Sequence, residues 1–110
     1  AATQGILDAK AFRAMKPTAV LVNVARGKLI HEVEMVKALE SGRLAGAGLD
    51  VFEEEPLPRS SLLWNHPNVV ITPHVAGLHP HYLDRSTSLF IVNLGRYFVG
   101  QPLLHEVDKQ

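Results

Sequence analysis

The sequence predicts an α/β protein built around a parallel β-sheet. Three short runs of β-branched and small apolar residues alternate with segments that have helical spacing, and this alternation is typical of parallel strands joined by helices. The 110 residues correspond to one domain or part of one. A content of 46% hydrophobic and 20% charged residues agrees with a globular fold.

A short helix and a strand open the chain. Asp8 can cap a helix that runs to about Met15, because Pro17 prevents its continuation. Residues 19–24 form a β-branched run of the kind found in buried parallel strands. Arg26-Gly27 then ends the strand, so we expect a turn at this point.

A second helix and a second strand follow. The spacing predicts a helix from about Glu32 to Ser41, with Gly42 in the position that favours a C-terminal glycine. Residues 47–51 carry a weaker strand pattern. The apolar stripe of the helix is expected to consist of Val33, Val36 and Leu39.

The third strand and a long helix complete the pattern. Residues 53–68 contain three prolines and are expected to form an irregular loop, and residues 69–72 form a strand that Pro73 ends. A long helix is predicted over 83–99. Its buried face is expected to hold Phe90, Leu94, Tyr97 and Phe98. Since a doubly wound sheet usually has five or more strands, we expect these three to be part of a larger sheet.

Composition excludes several classes of protein. Eleven basic and eleven acidic residues balance, which argues against a strongly basic nucleic-acid-binding protein. The absence of cysteine excludes disulfides, thiolate metal sites and a cysteine nucleophile. No apolar run reaches the length of a membrane span, and the first residues do not resemble a signal peptide.

Polar residues follow all three predicted strands. Asn23 and Arg26 come after the first, Asp50 and Glu55 after the second, and His74 after the third. Because parallel strands end at one edge of the sheet, these side chains can converge there. Arginine matches a carboxylate, histidine can pass a proton near neutral pH, and a carboxylate can orient the histidine ring. The set suits a 2-oxo or 2-hydroxy acid, whereas a hydride would have to come from a cofactor.

Each of these residues also has a structural interpretation. Arg26 could end a strand as a solvated charge, Asp50 could form a turn, and His74 could be a hydrogen-bonded structural histidine. The acidic run 53–55 favours a solvated loop face for its first two residues. Glu55 differs because the following proline favours an extended backbone that could aim it inward.

Two other patterns do not indicate a site. The glycines of 46–48 precede a strand instead of following one, unlike a dinucleotide-binding fingerprint. His74, His79 and His81 do not have the spacing of a zinc site, so we predict no metal.

Three segments in register resemble the D-isomer-specific 2-hydroxyacid dehydrogenase family. They are Asn23-Val24-Ala25-Arg26-Gly27, the stretch 45–56 that ends in Glu55-Pro56, and Ile71-Thr72-Pro73-His74. A finer similarity, to the glyoxylate/hydroxypyruvate reductase branch, rests on residues 55–58, 63–64, 66–67 and 74–76.

The resemblance implies roles for these residues. Arg26 would bind the substrate carboxylate, His74 would be the acid/base, and Glu55 would hydrogen-bond to His74. Asp50 would lie near the carboxamide of a nicotinamide cofactor, NAD or NADP. The expected cofactor-binding residues are Val24, Ala25, Arg26, Asp50, His74, Val75, Ala76 and Gly77.

The resemblance also implies an architecture. The chain would be the C-terminal half of a Rossmann-like doubly wound parallel sheet (residues 1–82) with a long C-terminal helix and tail (83–110) returning toward a substrate domain. The family's GxGxxG segment and its coenzyme-selecting residue lie upstream, so we expect the 110 residues alone to be inactive. The expected partners are a small 2-oxo acid and the cofactor, in a cytoplasmic homodimer without nucleic acid or membrane.

Two alternatives to an oxidoreductase stay open at this point. Corepressors of the C-terminal-binding-protein type resemble these dehydrogenases and bind partner peptides under nicotinamide control. A degenerate fragment without function would also keep the sequence similarity. Arg26, Glu55 and His74 alone do not exclude either of them.

Overall fold

The computed structural model describes residues 3–108. Residues 1–2 of the expected segment 1–82 and residues 109–110 of the expected segment 83–110 lie outside the described residues. The chain divides into two compact units, Ala1–Ala76 and Gly77–Gln110. The elements of the described part are α1 (Ala9–Ala14), β1 (Val20–Asn23), α2 (Glu32–Glu40), β2 (Gly46–Leu49), β3 (Val69–Ile71) and α3 (Tyr82–Phe98), with short 3₁₀ helices at Gly27–Leu29 and Leu62–Asn65.

The sheet of the first unit is parallel throughout, as the sequence predicts. Its strand order is β1-β2-β3, and both neighbouring pairs are parallel. Leu21, Ala47 and Val69 lie side by side in one row of the sheet. The carboxyl ends of the three strands therefore lie along a single edge.

One face of this sheet forms the core of the first unit. Strand residues that point to this face meet the buried side chains of α1 and α2, and apolar burial of this kind is the main favourable term in folding. The cluster contains Phe12, Ile30, Met35, Ala38, Leu39, Leu44, Ala47, Leu49, Phe52, Leu57 and Leu63. Asp8 caps α1 as expected, because its carboxylate accepts the N–H groups of Lys10 and Ala11 at 2.9 Å.

The predicted apolar stripe of α2 is wrong in part. Leu39 is buried, but Val36 is only partly buried and Val33 is 61% exposed. The buried residues of α2 are Met35, Ala38 and Leu39. A spacing of six residues turns a helix through about 600°, which separates its ends by about 120°, so Val33 and Leu39 cannot share a face.

The prediction that the first strand is buried is wrong for one of its two faces: Leu21 is partly buried and Asn23 is buried, but the alternate residues are not. Val20, Val22 and Val24 are all exposed, and so is Val70 on β3. Val22 and Val70 flank Gly48 in one row of the sheet, so they belong to the same face. β-branched residues favour a strand, but they do not determine what covers each of its faces.

The connection from 53 to 68 is more regular than expected. It contains the 3₁₀ helix Leu62–Asn65, whose first turn is capped by the Ser61 hydroxyl. Leu63 anchors this helix in the core, while Trp64 donates its indole N–H to the Pro58 carbonyl at 2.9 Å. A short apolar anchor between prolines gives too little periodicity to predict such a turn.

The second unit contains the long helix that the sequence predicts. α3 begins one residue earlier and ends one residue earlier than expected. No residue of α3 is buried, so the prediction of a buried face is wrong in the structure; its four expected members Phe90, Leu94, Tyr97 and Phe98 are exposed. Amphipathic spacing indicates a face that can be covered, not that a partner covers it. No helix in the described part of the chain is long and apolar enough to cross a membrane.

Two positions on α2 test the core assignment. Met35 is fully buried, so Met35→Ala should lower the free energy of unfolding by about 2–5 kcal/mol through lost contacts and a cavity. Val33→Ala, on the exposed face, should change it by about 0.5 kcal/mol or less. Urea unfolding measures both changes. Equal losses for the two variants would contradict the observed orientation of α2.

Candidate active site

The turn that carries Arg26 is fixed by the buried last residue of β1. The side chain of Asn23 accepts the N–H of Ala25 at 3.1 Å and donates to the carbonyl of Arg26 at 3.0 Å. An asparagine side chain of this kind replaces a turn of backbone. Arg26 therefore follows the strand in a turn whose shape is fixed by the side chain of Asn23.

A glycine lets this turn approach the segment that follows β2. A Cβ atom placed on Gly27 would lie 1.8 Å from the carbonyl oxygen of Phe52. No side chain fits at that distance, so Gly27 permits two backbone segments to touch. The contact brings Arg26 beside the loop that contains Glu55.

Glu55 is held through both carboxylate oxygens. Oε1 accepts the N–H of Phe52 at 3.0 Å, and Oε2 lies 2.7 Å from Nδ1 of His74. The hydrogen bond to His74 and then the bond from Phe52 hold the pKa of Glu55 below its ordinary value, although burial opposes them. The charges of His74 and Arg26 lower this pKa further by smaller amounts. Glu55 is therefore a fixed anion beside the imidazole.

His74 stands just beyond β3 in an unusual backbone conformation. Its φ angle is +55°, in the left-handed region that few non-glycine residues adopt. Its side chain is 51% exposed, and its Nδ1 atom is engaged by Glu55. The remaining ring nitrogen, Nε2, is the one left for a ligand.

Asp50 lies beneath the histidine loop and is only 2% exposed. Its Oδ1 accepts the Thr72 hydroxyl at 2.5 Å and the Val75 N–H at 2.9 Å, and its Oδ2 accepts the Ala76 N–H at 2.8 Å. These bonds, led by that of Thr72, lower the pKa of Asp50, although burial opposes them. The carboxylate thus binds the backbone on the C-terminal side of His74.

Arg26, Glu55 and His74 line one open cavity of about 440 Å³. Asp50 does not line it, while Val24 and Ala25 lie exposed in the turn before Arg26. Val75 and Ala76 belong to the loop that Asp50 binds. Gly77 is the first residue of the second unit.

Glu53 also lines this cavity, but it bonds to Glu32 and not to His74. Its N–H donates to Glu32 at 2.6 Å, and its own carboxylate accepts the N–H of Glu32 at 3.4 Å. Burial is the main cause that raises the pKa of Glu32. The pair joins the start of α2 to the loop after β2.

Three residues with a place in the site had no role assigned to them from the sequence. Asn23 holds the turn after β1, and Thr72 helps to hold the loop that carries His74. Lys28 adds a second cation to the lining of the cavity. A polar residue at the end of a parallel strand was a signal for the first two, since such positions surround the ligand edge. The 3₁₀ helix after Arg26, which places Lys28, left no signal in the sequence.

The arrangement can bind an anion and exchange a proton. Arg26 offers a planar fork of donors, of which Nη1 already bonds the Ala25 carbonyl at 2.6 Å. His74, oriented by Glu55, can donate or accept a proton at Nε2. In the described part of the chain, no group of three or more His, Cys, Asp or Glu side chains could hold a metal ion.

Comparison with known proteins gives a consistent result. The sequence model of the family described as D-isomer specific 2-hydroxyacid dehydrogenase, NAD binding domain, matches residues 1–76. A glyoxylate/hydroxypyruvate reductase A of Salmonella newport is 39% identical over 110 residues, which are 99% of this chain and 34% of that protein.

Solved structures agree with the sequence match. A D-isomer specific 2-hydroxyacid dehydrogenase from Xanthobacter autotrophicus Py2, in complex with NADPH and MES, superposes with a TM-score of 0.88 at 38% identity; the match covers 97% of this chain and 43% of that one. An NADPH-dependent glyoxylate/hydroxypyruvate reductase from Sinorhizobium meliloti, in complex with NADP and sulfate, gives 0.88 at 37%, covering 98% and 35%. The chain spans about a third of the length of the curated relatives it matches.

Gly27 provides a test of the contact between the turn after β1 and the segment after β2. Gly27→Ala should lower the free energy of unfolding by about 1–3 kcal/mol, because the new methyl group overlaps the Phe52 carbonyl. Gly95→Ala is the matched control, since a methyl group added there would meet no atom within 4 Å beyond its own helix backbone, and alanine favours a helix. Thermal unfolding compares the two. A neutral effect at Gly27 would mean that the turn and the segment do not touch.

The pair of Glu55 and His74 makes a prediction about pH. Because the folded-state pKa of Glu55 is depressed, the pair stabilises the fold above the unfolded pKa, and this contribution is lost as the pH falls through the folded pKa. In His74→Asn, the asparagine tolerates the left-handed backbone, but its side chain is too short to reach Glu55. The pKa of Glu55 should therefore rise toward its ordinary value. ¹³C NMR of the carboxyl group measures this. His31→Asn, at an exposed position without a side-chain cap bond, should leave the titration unchanged.

Proposed function

The chain belongs to the D-isomer specific 2-hydroxyacid dehydrogenase family, and from this premise we propose that its protein reduces a small 2-oxo acid, such as glyoxylate or hydroxypyruvate, with NADH or NADPH. The observation that carries the proposal is the 2.7 Å contact between Glu55 and His74 in a cavity that Arg26 also lines. An anion-binding group and an oriented proton donor thereby share one cleft. This combination suits a substrate that has a carboxylate beside a carbonyl group.

Arg26 is proposed to bind the substrate carboxylate. Guanidinium and carboxylate groups match in a bidentate pair, and the arginine charge also draws electron density from the adjacent carbonyl. The bond from Nη1 to Ala25 fixes one end of the guanidinium and leaves its other donors for the substrate. The nearby Lys28 adds positive charge to the same cavity.

His74 is proposed to deliver the proton to the carbonyl oxygen. In the protonated ring, Nδ1–H donates to Glu55 and Nε2–H is available to the substrate. Glu55 is fixed by the Phe52 N–H and so holds the ring in one orientation. In the direction of oxidation, the same nitrogen would take the proton back.

The residues beside the site fit a nicotinamide cofactor, which supplies the hydride when it is bound. Oδ2 of Asp50 accepts a single hydrogen bond among the described residues, from Ala76, so it retains capacity to accept one from a carboxamide. Val24 and Ala25 offer exposed small apolar surface at the end of β1, as a nicotinamide ring requires. We assign Val24, Ala25, Asp50, Val75 and Ala76 to this cofactor, together with Arg26 and His74; Gly77 stays a prediction from the resemblance.

The similar proteins support the choice of substrate and cofactor. The relative from Salmonella newport is named as a glyoxylate/hydroxypyruvate reductase, and the structures from Xanthobacter and Sinorhizobium hold NADPH and NADP. The proposal extends to a homodimer in the cytoplasm, as the family resemblance implies. Sedimentation and cell fractionation test these two parts.

His74 is the residue to change in an activity test. In the intact protein that contains this chain, His74→Asn should lower kcat for glyoxylate or hydroxypyruvate by about 10²–10⁴, the contribution of a positioned acid. The rate is measured from the loss of NADH or NADPH absorbance. His31→Asn is the control because His31 is exposed and does not line the cavity with Arg26.

Two results would count against the proposal. Equal rates for His74→Asn and the unaltered protein would remove the histidine from the reaction. Feeble turnover of both acids by the unaltered protein, with either coenzyme, would instead favour a nicotinamide-regulated binding protein.

A further inference from the structure

The loop that carries His74 is tied to one buried carboxylate on both sides of the histidine. Thr72, two residues before it, donates its hydroxyl to Asp50, and Val75 and Ala76, the next two residues, donate their N–H groups. The three donor–acceptor distances lie between 2.5 and 2.9 Å. We call these contacts the Asp50 clasp.

The clasp encloses the one residue of the loop that needs to be held. His74 has a φ of +55°, and the left-handed region is unfavourable for a non-glycine residue. Such a conformation persists only where the surrounding contacts determine it. A loop free to relax to negative φ would carry the imidazole away from its position beside Glu55.

Asp50 is itself anchored to the sheet. Its N–H donates to the carbonyl of Asn23 at 3.0 Å, and Thr72 donates its N–H to the carbonyl of Leu49 at 2.9 Å. The carboxylate therefore projects from a fixed backbone at the shared edge of three strands. Because Asp50 is bonded to the sheet and the loop is bonded to Asp50, the position of His74 is fixed relative to the sheet.

We propose that Thr72 and Asp50 are positioning residues of the proposed reaction: they hold the backbone on both sides of His74 so that its Nδ1 stays on Glu55 and its Nε2 stays on the substrate oxygen. This role rests on the proposed function for its catalytic consequence. It adds Thr72, which the resemblance does not assign, and gives Asp50 a second task beside the cofactor. Neither residue transfers the proton itself.

Thr72 allows a test with little change of volume. Thr72→Val removes the hydroxyl donor and keeps the shape, Thr72→Ser keeps the hydroxyl, and Thr18→Val is a matched exchange at an exposed position outside the site. Asp50→Asn is a second variant, because an amide cannot replace both acceptor oxygens. All four are made in the intact protein that contains this chain.

The first measurement does not depend on activity. Amide hydrogen exchange followed by NMR should show faster exchange of Val75 and Ala76. We expect roughly tenfold or more in Asp50→Asn, where the amides lose an acceptor, and several-fold in Thr72→Val, where Asp50 keeps both amides but the loop loses its contact on the other side of His74. Thr72→Ser and Thr18→Val should match the unaltered protein. Unchanged exchange in both Asp50→Asn and Thr72→Val would overturn the clasp.

The second measurement separates positioning from a purely structural role. Thr72→Val should lower kcat for the 2-oxo acid by roughly tenfold, because a misplaced acid loses much of its effect, and leave KM within about threefold, because Arg26 is untouched. Thr72→Ser should restore kcat. Changed exchange with unchanged kcat would leave the clasp intact but overturn its role in the reaction.

The two measurements also distinguish this proposal from the proposed function. If the unaltered protein reduces no 2-oxo acid, the proposed function fails, and the positioning role in that reaction fails with it, whatever the exchange data show. If the unaltered protein is active but Thr72→Val and Thr72→Ser behave alike in exchange and in kcat, the positioning role alone fails.

Discussion

Two backbone hydrogen bonds beyond the last strand residues align the whole candidate site. The N–H of Asp50 donates to the carbonyl of Asn23, and the N–H of Thr72 donates to the carbonyl of Leu49. Each bond continues the parallel ladder past the point where a strand ends. Because of them, three segments leave the sheet side by side. Glu55 and a histidine 19 residues away can then meet at hydrogen-bond distance.

The meeting of Arg26, Glu55 and His74 could be predicted from the sequence because it depends on topology. Parallel strands share one carboxyl edge, and each of the three residues follows a strand. The bonding of Asp50 could not be predicted in the same way. Two of its three donors are backbone N–H groups 25 and 26 residues away, and backbone donors carry no signal in residue type. Their position depends on the path of the loop.

Solvent exposure was the least predictable property. Val22 and Phe90 sit in patterns typical of a strand and of an amphipathic helix, and both elements form where expected. Both side chains are nevertheless exposed. Periodicity determines which residues share a face, whereas burial depends on a second surface that the pattern does not contain. Met35 is the opposite case. It is not in the predicted apolar stripe of α2, yet it is buried because its face of the helix packs into the core.

Stability and chemistry are assigned to different residues at the sheet edge. Asn23, Gly27 and Asp50 are buried, and each fixes a backbone turn. Glu55 and His74, whose side chains are 37% and 51% exposed, stand on those turns. Solvent weakens a contact between side chains this exposed, so the contact between them does little to hold the fold. Its value lies in selecting one orientation of the imidazole, and that selection is possible only because the buried residues have already fixed the backbone beneath it.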